Sequence, residues 1–521
     1  MKILIAGPGT GKTTGIKKLI AENFASAKKI QVVSFTNATV NDLKDSFDDN
    51  IAVKCSTLHG FALGLNHLPE LYILENKYEI KTIEQYADKL NLSFAQLCEI
   101  IKCVTFDNMI SSCISFIKAN PAYVKDKLGK LDLLLVDEFQ DFNPNEQELI
   151  MLIAREAGET IILGDDDQSI YGFKDADPDG IISLYKDDNI EKISHANICY
   201  RCPDAVVDAC SKLLKENKNR IEKDWKKSGK AGNIHFQQFL NQIQCDDYIL
   251  NAVRKIDLNK ESVLILSPLG FIVQNLCEEF TENQIEINNC WVNSIDIDTL
   301  SKVWWLRAIY GSHKIPFILF LLKYYRKNTR PRLLRILTEY VTNGSSESDL
   351  IQKLVKLDYL PSELTPLIIT PIPLEDFFDA NTEFKIFKEY IDLEDLEKSL
   401  ISLCSKIKNK NEFQKDKINL MSIHKSKGLQ ADHVFVTGLV SGIIPNETIG
   451  VNTIEAQRRL LFVGMSRTLK ELHMTSTVEW TGRDLRSNMA DLTQFKFVPQ
   501  RRIYMGKNSK FVEEIQSRKY F

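Results

Sequence analysis

The octet Ala6-Gly7-Pro8-Gly9-Thr10-Gly11-Lys12-Thr13, followed by Thr14, has the residue types of a phosphate-binding loop, with Ala at its first position in place of Gly. Glycines 7, 9 and 11 let backbone N–H groups turn inward around phosphate oxygens and permit close approach. Lys12 is then placed to hold the β- and γ-phosphates of a nucleotide, and the Thr13 hydroxyl to bind Mg²⁺. A second group is Leu133-Leu134-Leu135-Val136-Asp137-Glu138-Phe139-Gln140-Asp141, an apolar run ending in adjacent carboxylates. A buried strand of this kind delivers Asp137 to a metal and Glu138 to an attacking water, which is what a phosphate loop needs beside it.

The elements that must position these groups follow from the pattern. The run Met1 to Ile5 reads as a strand, the Gly-rich loop as its turn, and the residues to about Ala25 as a helix. Further strands are expected at Ile30–Ser34, Leu133–Val136 and Thr160–Leu163, each ending in polar residues. The alternation predicts an α/β fold with a parallel, doubly wound sheet and its ligand at the carboxyl ends of the strands. Between Gly60 and Gly129 the pattern is helical without strands, which predicts an α-helical insertion. A second α/β set is expected at Ile234–Phe239, Val263–Ser267, Asn419–Ser422, His433–Thr437 and Leu472–Ser476, split by a second helical stretch from Asn288 to about Asn411.

Composition narrows the class. The chain has 521 residues, enough for about three or four domains at roughly 150 residues each. Hydrophobic residues make up 44% and charged residues 26%, which excludes a mainly disordered or fibrous chain. The net charge of −4 gives no general attraction for a polyanion, so any nucleic-acid site must be local. Eleven unevenly spaced cysteines do not form a disulfide framework, and Cys199 and Cys202 lack a second pair for a zinc site, so a reducing cytoplasm is expected. No run is long enough to cross a bilayer and no signal peptide is read, so no membrane partner is expected.

With two motifs fixed, the order of the remaining ones resembles the superfamily 1 UvrD/Rep-like DNA helicases from Ile3 to about Thr475. The motifs are Ser34-Phe35-Thr36-Asn37, Ser56-Thr57-Leu58-His59-Gly60, Asp137 to Asp141, Gly164-Asp165-Asp166-Asp167-Gln168-Ser169-Ile170-Tyr171-Gly172-Phe173, and Tyr200-Arg201. Ser422-Ile423-His424-Lys425-Ser426-Lys427-Gly428-Leu429 and Arg458 to Arg467 follow in the same order. The resemblance implies two RecA-like P-loop NTPase domains, each with an α-helical insertion, that sandwich ATP and walk on single-stranded DNA. On this layout residues 1–60 and 127–198 form the first such domain with 61–126 inserted, and 199–288 and 412–521 the second with 289–411 inserted.

Carried over position by position, the resemblance implies that Gln168 senses the γ-phosphate and that Arg201 and Arg467 reach it from the second domain. Tyr200 would stack on the adenine, and Gly428 joins the nucleotide contacts. Guanidinium groups suit the task because they are planar and permanently charged. For DNA it implies base stacking on Phe35, Tyr171 and Phe173, with polar contacts from Asn37, Thr57, His59, Lys174 and His424. Stacking is sequence-tolerant because every base has a π-face. Arg458 and Arg459 are adjacent and cannot face one ligand equally, so a structural role is expected for them.

The chain departs from the family's pattern in places. No adenine-reading glutamine precedes the loop, Gln430 stands where a glutamate is usual, Phe173 replaces a tryptophan, and Ala38 stands where a lysine is common. The insertions are short, and no nuclease cluster follows Arg467, so any cutting is expected from a partner nuclease or effector subunit. From Lys302 to Thr338 there is no acidic residue, while nine basic residues interleave with Trp304, Trp305, Tyr310, Tyr324 and Tyr325. That segment is read either as a phosphate-tracking surface or as helices with aromatic cores. Cys199-x-x-Cys202 is not read as a redox motif, because Tyr200 and Arg201 between the cysteines are claimed by the ATP site. The expected activity is an Mg²⁺-requiring, ATP-dependent 3′–5′ helicase or translocase on single-stranded or tailed duplex DNA; the alternative is a DNA-sensing regulatory ATPase working with a partner.

Overall fold

The structure is a computed structural model. It describes residues 1–23, 27, 29–35, 40, 53–65, 72–74, 76–291, 297–310, 316, 318–319, 335–337, 339–340, 347–357, 373–392, 396, 399–400, 403, 413–448, 454–488 and 490–516. The chain divides into two compact units, one of residues 1–65, 113–292 and 413–521, the other of 66–112 and 293–412.

The first unit is built on two six-stranded parallel sheets. One contains β1 (Lys2–Ile5), β2 (Ile30–Ser34), β3 (Val53–Thr57), β4 (Leu131–Val136), β5 (Ala157–Gly164) and β6 (Glu191–Lys192), in the order β3-β2-β4-β5-β1-β6. The other contains β7 (Asn233–Phe239), β8 (Val263–Ser267), β9 (Ile287–Asn289), β10 (Ile418–Ser422), β11 (Ala431–Val436) and β12 (Thr468–Thr477), in the order β7-β12-β11-β8-β10-β9. Central strands such as Val263-Leu264-Ile265-Leu266 are continuously apolar and fully buried, as parallel strands covered on both faces must be. Each strand expected from the sequence coincides with one of these, with Met1 and Thr437 each falling one residue outside. The edge strand β3 was not expected, because Val-Lys-Cys-Ser-Thr carries no alternation strong enough to mark it.

Packed with the second sheet is a small antiparallel one of Glu479–Thr481, Lys496–Val498 and Ile503–Met505. Its core of Trp480, Leu485 and Phe495 includes Ile272 and Val440.

The second unit is mostly helical, including Lys77–Lys89, Phe94–Ile101, Ile297–Tyr310 and Glu347–Lys356. One expectation is corrected here: the stretch read as strand-free contains a parallel pair, Tyr72–Leu74 with Cys103–Thr105. Three-residue strands carry too little pattern to be seen, and only the partner's position makes them strands. The basic and aromatic segment was read two ways, and its described part follows the second, a helix with an aromatic core. Trp304, Trp305 and Arg307 are at most 4% exposed and belong to the core of this unit. The Trp304 indole donates to Glu79 Oε1 at 2.8 Å, the Tyr72 hydroxyl donates to the same oxygen at 3.2 Å, and Arg307 donates to the Tyr72 hydroxyl at 3.0 Å and to Leu400 O at 2.8 Å. Lys314, Lys323, Tyr324, Tyr325, Arg326, Lys327, Arg330 and Arg332 lie outside the described residues.

Candidate functional site

β1 is buried as far as Ile5, and the chain then turns through the Gly-rich loop into the Lys12–Asn23 helix. Gly9 and Gly11 have φ of +71° and +80°, conformations in which a side chain is strained. The outside of the loop is clasped by the segment that leads to the second sheet. Gly7 N–H donates to Asn197 Oδ1 (3.3 Å), His195 Nε2 to Thr10 O (3.1 Å), Tyr200 N–H to Gly9 O (2.9 Å) and the Trp225 indole to Pro8 O (3.1 Å). The Thr10 hydroxyl closes the loop on Gly7 O at 2.8 Å. A Cβ on Gly9 would lie 2.4 Å from Arg201 Cβ. Thr14 is exposed, as is Gly428, and the side chain of Thr13 lies outside the described residues.

β4 ends by placing Asp137 and Glu138 beside this loop. Glu138 has φ of +55°, left-handed for a non-glycine residue, and its N–H donates to Asp137 Oδ1 at 2.9 Å. Strain of this kind persists only where the surroundings over-determine it. Here Lys12 Nζ meets Glu138 Oε1 at 3.0 Å, Gln140 donates to Glu138 Oε2, and Lys427 from the loop after β10 stands 3.6 Å from that oxygen. Lys427 also pairs with Asp141 and donates to Gln168 O at 2.8 Å. Burial opposes ionisation of Glu138, yet the two ammonium groups hold its carboxyl well below the usual carboxylate range. Burial and the neighbouring Glu138 charge push Asp137 up to about 6, and burial pushes Asp141 up to about 7.

Gln168 and Arg467 meet in the same place from different sheets. Arg467 is 1% exposed and donates to Gln168 Oε1 (3.4 Å), Val463 O (2.8 Å), Leu429 O (3.4 Å) and Ser466 Oγ (2.8 Å), all neutral acceptors. Burial and the Arg201 charge bring its guanidinium down to about 9. Arg201 itself donates to Gln430 Oε1 at 3.0 Å and to Ser466 O at 3.5 Å. Buried or clustered guanidinium groups with only neutral partners fit a site for phosphate oxygens, since an anion supplies the charge that the protein leaves unmatched. The glutamine at position 430, where a glutamate was the usual residue, keeps Arg201 in place without neutralising it. Asp137, buried and displaced upward, likewise fits a divalent cation. Tyr200 is 64% exposed beside the loop, open to a flat partner.

The carboxylates of Asp165, Asp166 and Asp167 lie within 4.8 Å of one another, the spacing of a metal site. Their charge is already met. Lys223 Nζ stands 2.9 Å from Asp165 and 2.8 Å from Asp167 and also pairs with Asp166, while Arg220 grips Asp167 at 3.0 and 2.7 Å. An ammonium occupies the centre where an ion would go, so the cluster ties the Asp166–Gln168 turn to the Arg220–Lys223 segment. Arg458 and Arg459 are structural as expected, held by Glu514, Asn217 and the Asn219 carbonyl.

On the other side of Lys427 runs a row of rings. Phe35 stacks on Tyr171 (centroids 5.2 Å, 26°), Tyr171 meets Phe173 edge-on at 6.0 Å, and Phe173 meets His424 at 5.2 Å. Phe142 backs Phe35 at 5.6 Å. Lys174 lies over the rings of Phe35 and Tyr171 at 5.7 and 5.5 Å, and Lys427 over Tyr171 at 5.4 Å. Phe173 is 54% exposed. Burial pushes the His424 imidazole down to about 4, so it is neutral at physiological pH. The Thr57 hydroxyl accepts Gly60 N–H at 3.1 Å at the start of the Leu58–Leu65 helix, and His59 lies 3.5 Å from Glu146. Asn37, with Thr36 and Ala38, lies outside the described residues.

Comparison with known proteins gives this constellation a family. The family model of the UvrD/REP helicase N-terminal domain matches residues 2–79 and 65–189, and that of the UvrD-like helicase C-terminal domain matches residues 374–479. The chain belongs to the UvrD/Rep helicase family. Among relatives, it is 25% identical over 430 residues to ATP-dependent DNA helicase Rep of Buchnera aphidicola subsp. Acyrthosiphon pisum, covering 71% of this chain and 66% of that protein. It is 23% identical over 590 residues to DNA helicase II of Rickettsia typhi (91% and 89% covered), and 20% identical over 606 residues to ATP-dependent DNA helicase PcrA of Bacillus subtilis (91% and 80%). The chain spans just under two thirds, 65–66%, of the length of the two Buchnera Rep proteins. Family membership accounts for the two parallel sheets as RecA-like P-loop folds. Among the described residues, no helix is long and apolar enough to cross a membrane.

Three residues of this UvrD/Rep-like site had no role assigned from sequence. Lys427 sits inside a quoted motif, and only the fold shows that it reaches Glu138, Asp141 and Tyr171. Asn197 and Trp225 fall outside every motif, and nothing local in Asp224-Trp225-Lys226 signals a loop contact.

Proposed function

We propose that the chain is an ATP-dependent DNA helicase or translocase that hydrolyses ATP while moving 3′ to 5′ on single-stranded DNA, opening tailed duplexes. The observation that carries this is the meeting of Lys12, Glu138 and Gln168 with Arg467 and Lys427 from the other sheet, in a cluster that continues through Tyr171 into the ring row. When bound, ATP supplies the transferable phosphoryl group and Mg²⁺ neutralises its oxygens. Lys12, with the loop's N–H groups, would hold the phosphates, and Thr13 and Asp137 the metal. Glu138, kept ionised by its two lysines, is the base that takes a proton from the attacking water. Gln168 senses the γ-phosphate, and Arg201 and Arg467 stabilise charge developing on the phosphate oxygens. Arg467 and Lys427 sense the nucleotide from the second sheet, so closing and opening of the cleft alternate with it. Phe35, Tyr171, Phe173 and His424 face the bases and Lys174 the backbone, with Asn37, Thr57 and His59 as further DNA contacts.

The test measures ATP hydrolysis with and without single-stranded DNA, and strand displacement on duplexes tailed at the 3′ or the 5′ end. DNA-stimulated hydrolysis that Glu138→Gln lowers by about 100-fold or more, the scale of a lost general base, with displacement only from 3′ tails, is the expected result. Hydrolysis indifferent to DNA would overturn the motor. Stimulated hydrolysis without displacement would leave a regulatory ATPase that serves a nuclease or other effector subunit.

A further inference from the structure

The Cys199-x-x-Cys202 pair is not used by the proposed chemistry, yet it lies directly behind the phosphate-binding loop. Cys199 Sγ accepts the Cys202 N–H at 3.4 Å. Cys202 Sγ also donates to Ser466 O at 3.4 Å, the carbonyl that Arg201 shares at 3.5 Å. On the other side Cys199 Sγ is 3.2 Å from where a Gly9 Cβ would stand. Both cysteines are fully buried beneath Tyr200 and Arg201, and Cys202 leads through Pro203 into the Asp204–Leu214 helix. The metal alternative fails, since among the described residues only the three aspartates are grouped closely enough to hold an ion.

We propose that Cys199 and Cys202 form a reversible dithiol–disulfide pair, closed by a hydroperoxide, that switches off the nucleotide site by pulling Tyr200 and Arg201 away from the phosphate-binding loop. The Cys199 sulfur attacks the peroxide, the O–O bond breaks, and an alcohol, or water from hydrogen peroxide, leaves with Cys199 as a sulfenic acid. The Cys202 sulfur then attacks Cys199, the S–O bond breaks, and the departing hydroxide takes the Cys202 proton as water. Two thiols and one hydroperoxide thus give one disulfide, one alcohol and one water.

The chemistry suits the two positions. Hydrogen bonding from the Cys202 thiol, and from the Cys202 and Arg201 backbone, holds the Cys199 thiol down to about 6 against its burial, and the thiolate is the attacking form. Closing the bond brings the sulfurs to about 2.05 Å. Cys202 must then leave Ser466 O, and the intervening Tyr200-Arg201 must turn. There is no slack to absorb the turn, because Tyr200 N–H is bonded to Gly9 O and Arg201 Cβ fills the space a Gly9 side chain would need.

This switch rests on the nucleotide site proposed above, so its test keeps the two apart. The full chain, reduced with dithiothreitol, is treated with hydrogen peroxide and alkylated, its linkages are mapped by mass spectrometry, and ATP hydrolysis is measured in parallel. Expected are a Cys199–Cys202 linkage, a fall in hydrolysis of at least about tenfold, as displaced catalytic groups give, and recovery on re-reduction. Cys199→Ser should keep its hydrolysis through the peroxide; if it does not fold, the wild-type chain before and after re-reduction makes the same comparison. Alkylation of Cys199 and Cys202 after other cysteines have oxidised would overturn the proposal, and so would a linkage that leaves hydrolysis unchanged. Mapping needs no turnover, so a reduced chain that forms the linkage but hydrolyses nothing would count against the function and for the thiol pair.

Discussion

At the scale of single residues, Lys427 explains how one cluster can serve two ligands. Its ammonium touches Glu138 and Asp141 on one side and the Tyr171 ring on the other. A nucleotide that draws Lys12 away from Glu138 changes the charge that Lys427 faces, and the ring row feels it through one side chain. Phe173 is the part of that row most open to a base, being exposed while its neighbours Phe35 and Tyr171 are held by stacking. Phe173→Ala is therefore expected to weaken single-stranded DNA binding by about 1–3 kcal/mol, one stacked base. Nucleotide affinity without DNA should stay unchanged. Fluorescence anisotropy with a labelled oligonucleotide reads the first quantity, and an unaltered DNA affinity would remove Phe173 from the interface.

At the scale of elements, the Gly-rich loop depends on the segment from His195 to Trp225 as much as on its own glycines. Gly9→Ala combines a left-handed φ with a methyl group 2.4 Å from Arg201 Cβ. The backbone term alone is about 1–2 kcal/mol, and the clash moves Arg201. Nucleotide affinity should fall by more than about tenfold, 1.4 kcal/mol being tenfold, measured by titration calorimetry; Gly11→Ala, where no atom lies within 4 Å, should show the smaller effect. The loop and the Asp137-Glu138 strand end were legible in the sequence because their chemistry is written in consecutive residues on strands with a strong apolar run. The clasp by Asn197 and Trp225 was not, since it joins positions about 190 and 217 residues from the loop. The same holds for Trp304 and Trp305, whose basic surroundings left a surface and a core reading open, while their burial is decided by Glu79 and Tyr72 far earlier in the chain. The acidic triplet was legible as charge, and its neutralisation by Lys223 was not. β12 carries a further such case. His473 lies flat between His235 (4.6 Å) and Phe435 (4.3 Å), with Nδ1 bonded to the Tyr248 hydroxyl at 2.8 Å. Burial and the neighbouring His235 and His433 push it down to about 3, below its value of about 6.5 in an unfolded chain. A group shifted downward in this sense gives its full stability above about pH 6.5 and loses it as the pH falls toward 3, costing ~2 kcal/mol by about pH 5. Urea unfolding across that range should show this slope, and His473→Phe should flatten it.

At the scale of the whole molecule, the chain separates its tasks between two compact units. The proposed chemistry uses only residues of the unit that contains both sheets, whereas the other has its own core of Trp304, Trp305, Phe377 and Phe387. A polar network sits inside that second core, and Glu79, fully buried, is the acceptor that both the Trp304 indole and the Tyr72 hydroxyl use. Removing a shared buried acceptor costs more than the bonds it made, because the donors stay behind without water: about 1–3 kcal/mol for each group left unmatched. Glu79→Ala should therefore lower the melting of the helical unit, while DNA-independent ATP hydrolysis, which needs only the other unit, persists. Differential scanning calorimetry of the full chain should resolve the change as a component shifted down by several degrees. A uniform shift of the whole transition with hydrolysis lost in step would mean instead that the two units unfold as one.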